Sequence, residues 1–163
     1  MAKTASTARR HLRASSQQWA DLADLVLIIA REIQVRGYDD PRAVSLTQQE
    51  GAVMRYLAEV ATATPSQIAT GTGLQRTNVS AALRSLEAKG LIERTLAPQD
   101  GRAILVHRTR LGASNYELVR QEWATTVAAA ASCDAANLDV VLALLRSVGV
   151  GLATSRLTPG RKK

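Results

Sequence analysis

The 163-residue sequence predicts a mainly α-helical fold carrying a single β-hairpin. Three observations predict it. Apolar residues recur at helical spacing along most of the chain. One stretch, Gly90 to Arg108, instead holds two short runs of strand-forming residues with Pro98, Asp100 and Gly101 between them. The first and last helical stretches are apolar on nearly every face, while the hairpin and the helix before it are basic. With 46% apolar residues the chain can build a packed core, and its length suits one compact domain.

The elements follow in order. From about Gln17 to Gly37, Trp19, Leu22, Val26, Ile29, Ala30 and Ile33 form one helical stripe, and Leu25, Leu27 and Ile28 fill the opposite face. A helix apolar all round needs cover on more than one side, either inside a monomer or from a second chain; in so small a domain the second chain is favoured. Thr47 with Glu50 three residues on is a capping-box pattern, opening a helix whose buried stripe is expected at Val53, Leu57 and Val60. A loop containing Thr62 and Thr64 follows. Pro65 opens a short helix at the position where proline costs least, and Gly71 and Gly73 are expected to close it. The next helix runs from about Gln75 to Lys89 and stops at Gly90. Beyond the hairpin strands, Leu91–Thr95 and Ala103–Arg108, a long helix from Gly112 to Ser132 carries Tyr116, Val119, Trp123 and Val127 on one face. The final helix, about Asp134 to Val150, is again apolar on most faces. Both ends therefore point to a homodimer.

Charge is distributed unevenly. Residues 1–14 hold Lys3, Arg9, Arg10 and Arg13 without an acid, and residues 156–163 hold Arg156, Arg161, Lys162 and Lys163 without one, so the tails alone exceed the net charge of +7. Within the remainder, positive charge concentrates on residues 76–110, where seven basic side chains face three acids, Glu87, Glu93 and Asp100. That segment marks where a polyanion would dock. The single cysteine, Cys133, cannot close an internal disulfide, which fits a reducing cytoplasm. The first 13 residues have no apolar segment; a flexible basic arm is the simplest reading, although their composition also fits an organellar transit peptide. The longest apolar run, Leu22 to Ala30, is interrupted by Asp24 and falls well short of the ~20 residues of a membrane span, so no membrane partner is expected.

The helix after Gly73 separates its faces cleanly. At 100° per residue Leu83 and Leu86 fall within about 40° of Val79, defining the core side, and Thr77, Ser80, Ala81 and Arg84 fall opposite, flanked by Arg76. Small polar side chains and arginine are the types that reach base edges in a major groove; the plain alternative is a solvated helix face. The setting favours the groove. A short helix, a Gly-bearing turn and this second helix make a helix-turn-helix, followed at once by a basic hairpin.

The stretch SQIATGTGLQRTNVSAALRSLEAKGLIERTLAPQDGRAILVHRTRLG, Ser66 to Gly112, resembles the DNA-binding half of the MarR family of bacterial transcriptional regulators. The most specific marks are LEAKGLIER, Leu86 to Arg94, and the Asp-x-Arg triplet Asp100-Gly101-Arg102; HRTRLG partly matches a following Leu-Thr…Gly segment, and Gln75 departs from the Ser or Thr that often starts the recognition helix. The resemblance implies a winged helix-turn-helix with a two-stranded β-wing, and N- and C-terminal helices forming a dimerisation region. The implied layout is a flexible basic arm over 1–16, a dimerisation helix and loop over 17–45, the DNA-binding domain over 46–111, dimerisation helices over 112–153 and a basic tail over 154–163. It also implies a homodimer acting on a pseudo-palindromic duplex, most simply as a repressor. Candidate DNA contacts are Ser66, Gln75, Arg76, Thr77, Asn78, Ser80, Arg84, Arg94, Asp100, Gly101 and Arg102. In the family Arg102 reaches the minor groove and Asp100 holds the wing arginine; an acid so near DNA needs a cation, and Arg102 or Arg94 is available.

The resemblance further implies an effector cleft. Trp19, Tyr56, Tyr116 and Trp123, with Arg55 and Arg120 beside them, lie on the helices around it and suit a small anionic aromatic ligand, although aromatics at helical spacing are more often plain core. No cofactor or metal is expected: His11, His107 and Cys133 give no ligand spacing, and no phosphate loop, dinucleotide fingerprint or nucleophile elbow is present, so an enzyme is disfavoured. A single-strand binder would need aromatic platforms, which residues 76–110 lack. The remaining alternative is a winged helix serving non-specific nucleic-acid or protein contacts without effector control.

Overall fold

Capping residues set most helix boundaries in the computed structural model, which describes residues 15–97, 100–131 and 135–157, with only the backbone for 100–102 and 157. The chain divides into two compact units, one ending at Arg36 and the other beginning at Gly37.

The first unit contributes helix α1, Ser16–Val35. Ser15 accepts from Gln18 N at 3.2 Å while Gln18 Oε1 accepts from Ser15 N at 2.8 Å, a reciprocal cap the sequence reading passed over. Nothing in α1 is buried, and Leu25, Leu27, Ile28 and Ile29 are all more than half exposed.

In the second unit α2 spans Gln48–Val60, and its Thr47–Glu50 capping box forms as expected. Val53, Met54 and Leu57 are fully buried, but Val60, expected in the same stripe, is 41% exposed because it occupies the last position before the chain turns at Ala61. Thr62–Ala63 is not loop: it forms a short strand, β1, pairing antiparallel with Val106 and His107. Helix α3, Pro65–Thr72, has a second capping box, between Thr64 and Gln67. Gly71 lies inside α3 rather than closing it. A Cβ there would collide with the Tyr56 ring, so the glycine serves close packing of α3 on α2, and Gly73 alone supplies the left-handed C-cap.

Helix α4 spans Arg76–Ala88 and buries Val79, Ala82, Leu83 and Leu86. Strands β2, Ile92–Ala97, and β3, Asp100–Arg108, form the hairpin. With β1 they make a three-stranded antiparallel sheet in the order β1-β3-β2, one strand more than expected. Helix α5 begins at Arg110, two residues before the expected start, because Thr109 caps it, and runs to Ala130. Thr109 also donates from Oγ1 to Gly90 O at 2.7 Å, and a Cβ at Gly112 would collide with Leu91 O. The Thr-x-x-Gly spacing thus lets the first turn of α5 lie on the backbone between α4 and β2. After a 3₁₀ turn at Ala135–Asn137, α6 spans Leu138–Leu157, continuing past Gly149 and Gly151 well beyond the expected end.

One core holds the second unit together. Val53, Met54, Leu57, Ile68, Leu83, Leu86, Leu91 and Val106 meet in it, with Tyr116 from α5. Asn115, buried beside Tyr116, accepts from Val44 N at 2.7 Å and donates to Val44 O at 3.1 Å, imitating a strand partner and fixing the segment before α2. Helix α6 has no buried residue among those described, with Val140 and Leu152 about two-thirds exposed. The segment Ala135–Arg156 has the length and composition to cross a membrane, a property that counting uninterrupted apolar runs passed over. Exposure on all sides is also what a dimer helix shows in one isolated chain.

Candidate nucleic-acid interface and ligand cleft

The site is built around α4. Its four buried residues fix the helix against α2 and α3, and this turns Gln75, Arg76, Thr77, Asn78, Ser80, Ala81 and Arg84 to solvent. No acid lies between Gln75 and Leu86, so this face carries only polar and positive groups. Gln75 occupies the N-cap without a side-chain cap bond, leaving its amide available to an outside partner. Ser66 is exposed in the first turn of α3. Asn78 and Ala81 line a small cleft with Thr47, Gln49 and Ser85, which places them on the flank of α4 that faces α2.

Two ion pairs fix the far end of the helix. Glu87 meets Arg94 of β2, with Arg94 Nε 3.1 Å from Glu87 Oε2. The angle is too poor for a hydrogen bond, and Nε has no other partner, so the contact is an ion pair only. Arg94 therefore ties the wing to α4. The side chains of Asp100 and Arg102 lie outside the described residues; their backbone forms the start of β3, where Asp100 opposes Ala97 across an irregularity in the hairpin. Further along, His107 and Glu93 are paired across the strands at 2.9 Å.

The second pair was not legible in the sequence. Lys89, the C-cap of α4, donates from Nζ to Glu50 Oε2 at 2.7 Å and to Ser45 O at 2.9 Å. Glu50 is 2% exposed. Burial is the largest single influence on its carboxyl and pushes the pKa up, but hydrogen bonds from Lys89, Ser85 and the Thr47 amide, with the Lys89 charge, outweigh it and hold the group below its ordinary value. The carboxylate that caps α2 thus also anchors the last turn of α4. Thr47 and Glu50 revealed the cap; nothing local could reveal a partner 39 residues away.

A cleft of about 440 Å³ opens between α2 and α5, lined by Arg55, Ala58, Glu59, Tyr116, Arg120 and Trp123. Four of the six expected ligand residues therefore converge. Tyr56 lines a neighbouring cleft of about 180 Å³ with Arg55, Glu59, Gly71 and Thr72. Trp19 belongs to α1, in the other unit, and is 47% exposed. Sequence reasoning missed Glu59, which adds an acid to the α2 wall of the cleft beside Arg55. Cys133, residues 1–14 of the expected basic arm and residues 158–163 of the expected basic tail lie outside the described residues, whereas Arg156, expected in that tail, belongs to α6. Among the described residues no cluster of His, Cys, Asp or Glu could hold a metal ion.

A short helix, a tight turn, a second helix with its apolar side sealed and its basic side open, and a hairpin tied to that helix define a winged helix-turn-helix protein. The MarR family model matches residues 44–103, from the segment before α2 to the wing. Solved structures share the fold over most of their length. The transcriptional regulator SlyA is 18% identical with a TM-score of 0.66, over 83% of this chain and 96% of its own. A mutant MarR from E. coli complexed with operator DNA is 19% identical with a TM-score of 0.60, over 83% and 99%. Bordetella bronchiseptica BpsR, whose DNA binding is regulated by 6-hydroxynicotinic acid, is 18% identical with a TM-score of 0.59, over 79% and 98%. No curated protein sequence matches the chain.

Proposed function

We propose that the protein is a homodimeric, cytoplasmic repressor that reads a pseudo-palindromic duplex operator and is released by a small anionic aromatic compound. The observation that carries the DNA reading is the exposed, acid-free face of α4, with Arg76, Thr77, Ser80 and Arg84 held outward by a fully buried opposite face. Arginine is suited to guanine edges, and small neighbours allow close approach in the major groove. Arg102 at the wing would enter the adjacent minor groove, where negative potential favours a guanidinium. The exposed apolar surfaces of α1 and α6 supply the material for a dimer interface. MarR from E. coli, of the same fold, is known with operator DNA.

The effector reading rests on the α2–α5 cleft. Tyr116 and Trp123 provide ring contacts, Arg55 and Arg120 can meet a carboxylate, and Glu59 can accept from a hydroxyl or ring N–H. An aromatic acid carrying a second polar group fits that set, and 6-hydroxynicotinic acid, which regulates BpsR, has this chemistry. Release follows if the ligand prefers a dimer whose recognition helices are wrongly spaced for DNA.

The deciding experiment is selection of bound duplexes from a random pool. A recovered site with two-fold symmetry supports the proposal. No enrichment, with no salt-dependent affinity for random duplex either, would leave a module for protein contacts.

A further inference from the structure

Helix α6 carries one contact that its apolar character does not explain. Arg156 reaches the end of α3, donating from Nη1 to Thr72 O at 3.2 Å and from Nη2 to Gly71 O at 3.4 Å. Last-turn carbonyls lack helical partners and form the negative end of the helix dipole, so they favour a cation. The fit is close: any Cβ at Gly73 would collide with the same guanidinium. A planar fork that spans two successive carbonyls fixes direction as well as distance, which a lysine cannot do as well.

The position of this contact gives it a consequence. Gly73, Leu74 and Gln75 are all that separate the capped end of α3 from the start of α4. Any movement of α3's last turn is therefore passed to the recognition helix. We propose that Arg156 is a positioning residue: it fastens the C-terminal helix to the helix-turn-helix, so that the placement of α6 sets the placement of α4. This rests on the reading of α6 as a dimer helix. In the dimer, the two Arg156 contacts then fix the spacing of the two recognition helices.

The test uses the full chain with a nitroxide on Ser80→Cys in a Cys133→Ser background, measuring the distance between labels across the dimer without DNA. The unsubstituted dimer is expected to give one narrow distance. Absence of any distance between copies would mean no dimer, and both readings would fall. With Arg156→Gln the distribution should broaden at least about twofold, and affinity for the selected operator should fall about tenfold, the equivalent of one lost charge-assisted hydrogen bond. Affinity for random duplex, which needs no fixed spacing, should change by less than about twofold. Arg156→Lys should restore part of the narrow distribution. A lower melting temperature with an unchanged distance would show a helix cap and nothing more, overturning the proposal while leaving the DNA reading intact. Should Arg156→Gln fail to fold, Arg156→Lys decides: its distribution must still be broader than that of the unsubstituted dimer.

Discussion

At the residue scale, a side chain's neighbours decide what it can do, and Arg84 and Arg94 illustrate the difference. Both are arginines near the same helix, yet Arg84 is exposed on the open face whereas Arg94 is held against Glu87. Arg84→Ala is expected to cost about 1–3 kcal/mol of operator affinity and to relax preference at one position in each half-site, measured by binding to a panel of single-base variants. Equal losses on specific and random duplex would make Arg84 a phosphate contact instead. Sequence periodicity was sufficient for Arg84, because Val79, Leu83 and Leu86 fix the helix's orientation. It was insufficient for Arg94, since a cross-element ion pair depends on where the hairpin folds back. Gly71 was misread for a related reason. Its need arises from the Tyr56 ring packed against it, which no local pattern announces.

At the scale of elements, the caps were legible and the joints were not. Thr47 and Pro65 mark helix starts through interactions within four residues, and both helices begin where those signals place them. Lys89 to Glu50, Asn115 to Val44 and Arg156 to Thr72 join distant segments, and their sequence separations carry no signature. The Lys89–Glu50 joint has a pH dependence. The Glu50 pKa is lowered in the folded state, so its contribution to stability is complete above the ordinary carboxylate range and is lost as pH falls through the folded value. Urea unfolding across that acid range should show a steeper loss for the unsubstituted protein than for Glu50→Gln, which has no charge to lose; parallel curves would refute the linkage. The α5 joint is steric. Gly112→Ala would drive a methyl into the Leu91 carbonyl, and relief requires moving backbone. A loss of about 1–3 kcal/mol is expected, read as a lowered melting temperature, whereas Ala at the open Gly51 position should not reproduce it.

At the scale of the whole molecule, the sequence located the apolar surfaces that a single copy leaves uncovered. Apolar excess in the first and last helices appears in the structure as exposed Leu25, Leu27, Ile28, Val140 and Leu152. Sedimentation at micromolar concentration should give a dimer, and the selected operator should have half-sites about one helical turn, ~10 bp, apart. A monomer, or an unsymmetrical site, would refute this. The ligand cleft has its own readout: a hydroxylated aromatic acid should quench Trp123 emission and lower operator affinity, with both effects weakened by Arg120→Ala. Quenching without any change in DNA affinity would make the cleft a site uncoupled from DNA.

Among the described residues, every buried one lies between Glu50 and Val119. In the proposed dimer, separating two copies would therefore uncover apolar helices while leaving the winged helix-turn-helix folded. A repressor that pairs in this way would measure its own abundance. Below the dimerisation constant, the concentration of paired chains falls as the square of the total, so halving synthesis removes about three-quarters of the operator-competent species. Cells that dilute the protein by growth would thus lift repression more sharply than the dilution itself, with no ligand present.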